Sequence, residues 1–165
     1  MLAMVQTKLN NNLPSTSRVW IYQSNRILTD ADVNKANELI QGFLPQWKSH
    51  GKDLAASIET LHNLFIVVTA DEGVEAPSGC SIDSSVKLVK EIGAALNVDF
   101  FDRLVISYLQ NDKIELSKMF HFQEKLKSGE LSADTIVFNN LVENKAKFES
   151  AWMVPVKESW HKQLL

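Results

Sequence analysis

Apolar positions follow two spacings along the chain, one typical of strands and the other typical of helices. Short runs rich in β-branched and aromatic residues predict strands. These runs are 19–23 (VWIYQ), 54–61, 64–70 (LFIVVTA) and 104–109 (LVISYL). Between them, apolar residues recur at helical spacing over 33–47 and 86–96, and each stripe predicts an amphipathic helix. Pro45 predicts that the first helix ends near Leu44.

The order strand, helix, strand, strand, helix, strand is typical of the ferredoxin-like βαββαβ fold. In that fold, two helices cover one face of a four-stranded antiparallel sheet. We therefore predict an α+β protein with a ferredoxin-like core over 18–110. His62 and Asn63 separate the second and third runs and predict a hairpin turn. The third run is continuously apolar, which predicts a central strand.

The segments outside this core carry weaker patterns. Residues 1–17 are rich in Asn, Ser and Thr and are predicted to form a disordered tail. Residues 111–165 are predicted to form a C-terminal α/β extension, so that 18–165 make one domain. Within the extension, the pattern predicts a helix over 114–127, a strand over 135–142 and a last helix over 143–152.

Composition narrows the class of protein. A chain of 165 residues has the usual length of one domain. It contains no apolar run of the roughly 18 residues that a membrane span needs, and its start does not resemble a signal peptide. The formal net charge of -3 is spread along the chain, which argues against a nucleic-acid-binding face. We expect a cytoplasmic monomer or homodimer, because edge strands allow pairing between copies.

The stretch SGCSIDSS (78–85) holds the single cysteine at the predicted start of the second helix. The positive end of a helix dipole favours the thiolate form of a cysteine, so Cys80 is a candidate nucleophile. Asp83 is a candidate for the carboxylate that would orient the general base of such a nucleophile. The simpler alternative is that Ser81 or Asp83 caps the helix and that Cys80 is a small buried side chain.

The predicted topology supplies a partner for this cysteine. Strands two and three are antiparallel, so the start of one and the end of the other lie at the same edge of the sheet. The loop 47–53 is therefore expected to face SGCSIDSS, which makes His50 the candidate base. Asp71 and Glu72 are further candidates for the orienting carboxylate. The candidate binding residues at this edge are Ser78, Gly79, Ser81, Ser84, Arg18 and Lys52.

The same stretch does not match a nucleotide-binding loop. A P-loop requires G-x-x-x-x-G-K-[ST], whereas five residues separate Gly73 from Gly79 here and Cys80 stands at the lysine position. The histidines show no paired ligand spacing, and one cysteine cannot build a structural zinc site. We therefore expect no nucleotide hydrolysis, no bound metal and no cofactor.

Several segments together resemble a known family. They are VWIYQSNR, WKSHGK, FIVVTADE with SGCSIDSS, DTIVFNNLV and VPVKESWH. They are similar to a family of small uncharacterised bacterial proteins that carry the label "ABC transporter ATPase", over about Arg18 to the C-terminus. The label implies ATP hydrolysis, yet a Walker A lysine and an LSGGQ-type signature are absent, so no ATPase residue is carried over. The resemblance implies an intracellular bacterial protein.

Two functions follow as hypotheses. The first is a non-catalytic module that binds an unknown protein or a small anionic ligand. The second is a thiol-dependent enzyme that uses Cys80 with His50 as base and the helix amides as an oxyanion site. The C-terminal extension adds an aromatic set that predicts either core packing or a partner-binding groove. It comprises Phe120, Phe122, Phe138, Phe148, Trp152 and Trp160.

Overall fold

The computed structural model of the protein describes residues 7–73 and 76–165 and has an α+β fold. These residues divide into two compact units. The N-terminal unit is Leu9–Asp102 with Glu143–Ala146, and the C-terminal unit is Arg103–Val142 and Lys147–Leu165 with Thr7 and Lys8. The division falls inside the predicted core 18–110, so the predicted strand 104–109 belongs to the C-terminal unit.

The helices and strands follow the chain in this order. The first group is β1 (Arg18–Gln23), α1 (Asp30–Phe43), β2 (Lys48–Ser49), β3 (Lys52–Asp53), β4 (Ala56–Leu61), β5 (Phe65–Ala70) and α2 (Gly79–Leu96). The second group is β6 (Val105–Gln110), β7 (Lys113–Lys118), α3 (Met119–Ser128), β8 (Ile136–Phe138), α4 (Lys145–Ala151) and β9 (Met153–Pro155). Short 3-10 helices span Leu44–Gln46, Val156–Glu158 and Trp160–Leu164.

β5 is the central strand of a three-stranded antiparallel sheet in the order β1-β5-β4. All of its residues are buried, which confirms the prediction of a central strand. β4 and β5 form the predicted hairpin. His62 and Asn63 have φ angles of 54° and 51°, and the Leu64 N–H donates to the Leu61 carbonyl at 3.0 Å. Two successive left-handed residues are typical of a type I′ turn.

Both helices of the N-terminal unit pack on one face of this sheet. Thr29 and Asp32 form a capping box at the start of α1, and the helix ends before Pro45, as predicted. Asn97 ends α2 in the left-handed conformation with φ 55°. Their shared core consists of Leu28, Ala36, Ile40, Trp47, Ile58, Ile66, Val68, Leu88, Val89, Ile92, Leu96 and Phe100.

The predicted four-stranded ferredoxin-like sheet is not confirmed. The predicted fourth strand is β6, which pairs with β7 and β8 in a separate sheet. At the edge of β1, the Val19 N–H instead donates to the Glu143 carbonyl at 2.9 Å, and Arg18 forms a bridge with Asn144. β6 pairs with its neighbour in the chain because closing a two-residue hairpin costs little entropy compared with a long return to β1.

The C-terminal unit contains a four-stranded antiparallel sheet in the order β7-β6-β8-β9. The predicted helix over 114–127 is wrong in its first part, which is β7. Asn111 and Asp112 have φ angles of 53° and 61° and form the turn that reverses the chain between β6 and β7. The predicted strand 135–142 is shorter as β8, and the predicted helix 143–152 is α4.

Most of the aromatic set in the extension packs in a core. The fully or almost fully buried members are Phe122, Phe138, Phe148 and Trp152. The rings of Phe148 and Trp152 stack with centroids 4.5 Å apart, and the Trp152 indole N–H donates to Asn140 Oδ1 at 2.9 Å. Phe120 is 65% exposed and Trp160 is half-buried. Core packing therefore accounts for the buried four, and Phe120 lies on the surface.

Residues 9–17 of the predicted tail are part of the N-terminal unit and are held within it by side-chain contacts. Leu9 is buried, and the Asn10 N–H donates to Glu59 Oε1 at 2.8 Å. The buried ammonium of Lys145 donates to the carbonyl and the side-chain oxygen of Asn11, both at 3.0 Å, and to the Leu13 carbonyl at 2.8 Å. The first six residues of the predicted tail lie outside the described residues.

Candidate functional site

The loop 47–53, predicted to face the cysteine stretch, contains a small hairpin. β2 and β3 pair with Lys48 opposite Asp53 and Ser49 opposite Lys52. His50 and Gly51 form the turn between them, with φ angles of 51° and 77°. Two left-handed residues match the twist of a two-residue hairpin, and glycine adopts this conformation without steric cost. The imidazole of His50 is therefore carried at the tip of a tight turn.

Hydrogen bonds join this hairpin to the start of α2, as the antiparallel order of β4 and β5 predicts. The Ser49 hydroxyl donates to the Ala76 carbonyl at 2.8 Å and accepts from the Ser78 N–H at 3.1 Å. The Trp47 indole N–H donates to the Ser81 carbonyl at 2.8 Å. Ser49 and Trp47 are both buried. We call residues 47–53 and 76–84 together the loop edge.

Ser78 caps α2, so the helix begins earlier than the alternatives Ser81 and Asp83 predicted. The Ser78 hydroxyl accepts from the Ser81 N–H at 3.1 Å, and the Ser81 hydroxyl donates to the Ser78 carbonyl at 2.8 Å. The extended backbone of Ser78, with ψ 165°, lets its side chain reach that amide. Cys80 consequently lies in the first turn of α2 and is exposed rather than buried.

The structure brings His50 and Cys80 to the same edge without joining them. Within the described residues, the hydrogen bonds between the hairpin and the helix come from Ser49 and Trp47, and none comes from His50. His50 and Asp83 are exposed. The Ser84 hydroxyl donates back to the Cys80 carbonyl at 2.9 Å. Among the described residues, no hydrogen bond joins the side chains of Cys80, His50 and Asp83.

Some of the charged residues predicted for this edge are already engaged in other contacts and are less able to bind an anion. Arg18 lies opposite Ala70 at the end of β5, its guanidinium lies 5.0 Å from the centre of the Trp20 ring, and it is 3.7 Å from Glu72. The Asp71 carboxylate accepts from the Gly73 N–H at 2.8 Å. Lys52 is exposed on β3. The Arg18 charge is thus shared with a carboxylate, which weakens it as an anion ligand.

Two backbone amides at the start of α2 point to a simpler chemistry. The amides of Ser81 and Ile82 are satisfied by the side chain and the carbonyl of Ser78. The amides of Gly79 and Cys80 have no acceptor within 7–73 and 76–165, and both residues are exposed. The first turn carries no acidic residue. Free amides at the positive end of a helix favour an anion.

Sequence reasoning missed the two residues that build this edge. Both lie in the loop 47–53 that the sequence predicts to face SGCSIDSS, and Trp47 also belongs to the apolar stripe of the first helix, but neither was named as a contact residue. A serine next to a predicted turn and a tryptophan at a helix end occur in many proteins without such a role. Their importance follows from the packing of β2 against the start of α2, which places Ser49 beside Ser78. The pattern of apolar positions does not determine this packing.

Comparisons with known proteins give no family for the chain. No protein-family model, curated protein or solved structure matches it. Among the described residues, no helix is long and apolar enough to cross a lipid bilayer. In the same part of the chain, His, Cys, Asp and Glu side chains form no group of three that could hold a metal ion.

Proposed function

We propose that this protein is a non-catalytic binding module that holds a small anionic ligand at the start of α2. The observation that carries the proposal is the pair of exposed amides at Gly79 and Cys80, which have no acceptor among the residues that the structure describes. α2 is 18 residues long, so its dipole is well developed at this end. Ser49 and Trp47 hold the start of the helix in place, which lowers the entropic cost of ordering a binding loop.

The proposal does not include ATP hydrolysis. The position that a phosphate-binding lysine would take is occupied by Cys80, and the arginine at this edge is 3.7 Å from Glu72. Two amides suit a singly or doubly charged oxyanion better than a triphosphate, because a triphosphate needs several cationic partners as well.

Titration with inorganic phosphate tests the proposal. In a ¹⁵N–¹H correlation spectrum, the amides of Gly79 and Cys80 are expected to shift saturably, because they donate directly to the bound anion. Sodium chloride at matched ionic strength serves as the control and is expected to move them little. Shifts that are linear with concentration, or equal in phosphate and chloride, would contradict binding at this site.

The second candidate function is thiol-dependent catalysis, and one observation favours it. Ser49 bonds to Ser78 and stands immediately before His50, so the imidazole and the exposed thiol occupy one clamped edge. In this second function the His50 imidazole and the Cys80 thiol come together on substrate binding, since catalytic pairs are often loosely arranged in apo structures.

Alkylation of Cys80 by iodoacetamide at pH 7 separates the two functions. For a non-catalytic module we expect a rate close to that of glutathione and the same rate in His50→Ala. Thiol catalysis instead predicts a rate about tenfold or more above glutathione, because activation raises the thiolate fraction, with loss of that excess in His50→Ala. Intact-mass spectrometry over time gives both rates.

A further inference from the structure

The C-terminal unit contains an open groove that is separate in the chain from the loop edge. Its volume is about 580 Å³, within the range of small-molecule sites. One side is formed by the end of β7 and the other by α3. The lining residues are Leu116, Ser117, Lys118, His121, Glu124, Lys125, Ser128 and Glu130.

A hydrogen-bonded chain of three side chains ends in this groove. The Lys125 ammonium donates to the Tyr108 hydroxyl at 3.0 Å, and that hydroxyl lies 3.0 Å from the Ser117 hydroxyl. Tyr108 is 1% exposed, whereas Ser117 and Lys125 line the groove. The Tyr108 hydroxyl has no third partner within the described residues. The chain therefore connects a buried phenol to two groups that a ligand can reach.

The donor and the acceptor of each hydrogen bond in this series of side chains follow from their chemistry. An ammonium only donates, so Tyr108 accepts from Lys125. The buried phenolic proton must then be donated to Ser117, because leaving it unpaired would cost about 1–3 kcal/mol. With its oxygen accepting from Tyr108, Ser117 keeps its own proton for an acceptor in the groove. Lys125 likewise retains two N–H groups that have no acceptor among the described residues.

The charges along the groove balance. Lys118 and Lys125 carry two positive charges, and Glu124 and Glu130 carry two negative charges, so the formal sum is zero when the exposed His121 is neutral. His121 lies 3.4 Å from Glu124, which tethers one of the carboxylates. A doubly charged phosphate would be repelled by the carboxylates, whereas a ligand with one charge of each sign matches both kinds of lining group.

We propose that this groove binds a free α-amino acid, whose carboxylate accepts hydrogen bonds from Ser117 and Lys125 and whose ammonium is neutralised by Glu124 and Glu130. The two donors at the end of the Tyr108 chain are fixed before the ligand arrives, which favours one orientation of the carboxylate. The side chain of the amino acid extends along the open groove, which has room for residues larger than glycine.

Titration of the whole protein with free L-amino acids tests this proposal by ¹⁵N–¹H correlation spectra. Acetate and methylammonium chloride provide one charge each and serve as probes of the separate halves. We expect saturable shifts at Ser117 and Lys125 with at least one amino acid, and binding at least about tenfold weaker with acetate or methylammonium. The amide shifts of Gly79 and Cys80 with phosphate are measured in a separate titration, so each of the two proposed sites is tested independently of the other.

Variants locate the site. Lys125→Met keeps the aliphatic stem and removes the ammonium, and it is expected to weaken amino-acid binding about tenfold or more. Ser117→Ala is expected to weaken it in the same direction. Lys127→Met, an exposed residue of α3 outside the groove, is the matched control and should bind normally. The proposal is overturned if no amino acid binds saturably, if acetate binds as well, or if Lys127→Met weakens binding as much as Lys125→Met.

Discussion

Replacing Lys145 with methionine is expected to lower the free energy of unfolding by about 1–3 kcal/mol and to release the segment before β1. The Lys145 side chain is buried, and its ammonium donates to three oxygens of Asn11 and Leu13. Methionine fills a similar volume and avoids the cost of burying a charge, but it removes the ammonium donor from the Asn11 and Leu13 carbonyls, whereas Asn11 Oδ1 still accepts from the Leu13 N–H at 3.1 Å. We expect the loss of these hydrogen bonds to outweigh the relief of the buried charge, because two part-buried carbonyls lose their charged donor at once.

Urea unfolding and amide hydrogen exchange measure the two parts of this result. Exchange in residues 9–17 should become faster in Lys145→Met, while exchange in β5 should change only through the global stability. Lys87→Met, an exposed lysine of α2, is the control and should change stability by less than about 0.5 kcal/mol. Equal stability and equal exchange in Lys145→Met and the native protein would contradict the assigned role.

Acidification is expected to destabilise the protein through His161. Burial lowers the pKa of His161 to about 4 from its usual value near 6.5. The ring is 2% exposed, stacks on Trp160 at 4.0 Å between centroids, and its Nδ1 lies 2.6 Å from the Ser159 hydroxyl. The native state therefore holds His161 neutral, with Nδ1 bonded to a serine rather than to a carboxylate.

The sign of the effect follows from proton binding. Between pH 6.5 and pH 4 the unfolded chain binds a proton at this residue and the native protein does not. The contribution of His161 is therefore fully present above about pH 6.5 and is lost as the pH falls toward 4, at about 1.4 kcal/mol per pH unit. Over the whole window the expected loss is about 3 kcal/mol.

Unfolding in urea at pH 7, 6 and 5 checks this prediction in the native protein and in His161→Gln. The variant should show a shallower loss of stability with falling pH, because glutamine does not titrate. His121→Gln removes an exposed histidine of α3 and should keep the native slope. The same slope in all three proteins would show that His161 does not contribute, and an NMR titration of its ring protons reports the ionisation directly.

The elements of the N-terminal unit could be predicted from the sequence because local signals agree there. Thr29 starts α1, Pro45 ends it, and the continuous apolar run of β5 marks a strand buried on both faces. Each of these signals acts within a few residues. Consistency between local preference and final structure is what makes such segments readable from one sequence.

The C-terminal unit could not be predicted as well, because its structure depends on partner choice. The local sequence of residues 114–118 is compatible with a helix or a strand. Pairing with β6 across the Asn111–Asp112 turn makes this segment the strand β7. The alternation of apolar positions also does not reveal which strand β6 pairs with. The α+β class is confirmed, whereas the four-stranded ferredoxin-like sheet is not, because its fourth strand pairs in the other sheet.

The contact between the loop 47–53 and the start of α2 could be predicted from the sequence, but the side chains that make it could not. Antiparallel pairing of β4 and β5 correctly brings the hairpin of His50 to the start of α2. The side chains that join them are Ser49 and Trp47, and their hydrogen bonds depend on spacings that only the folded structure sets. Tyr108, Lys125 and Ser117 likewise come from separate elements, and no sequence motif connects them.

One pair of variants tests the proposed anion site most directly. A Cβ atom at Gly79 would meet nothing within 4 Å, so longer side chains fit there without a clash. Gly79→Glu places a carboxylate beside the two free amides, whereas Gly79→Gln has the same size without the charge. If phosphate binds at the start of α2, Gly79→Glu should bind it about tenfold or more weakly than Gly79→Gln. Equal phosphate affinity in the two variants would contradict an anion-binding role for this helix.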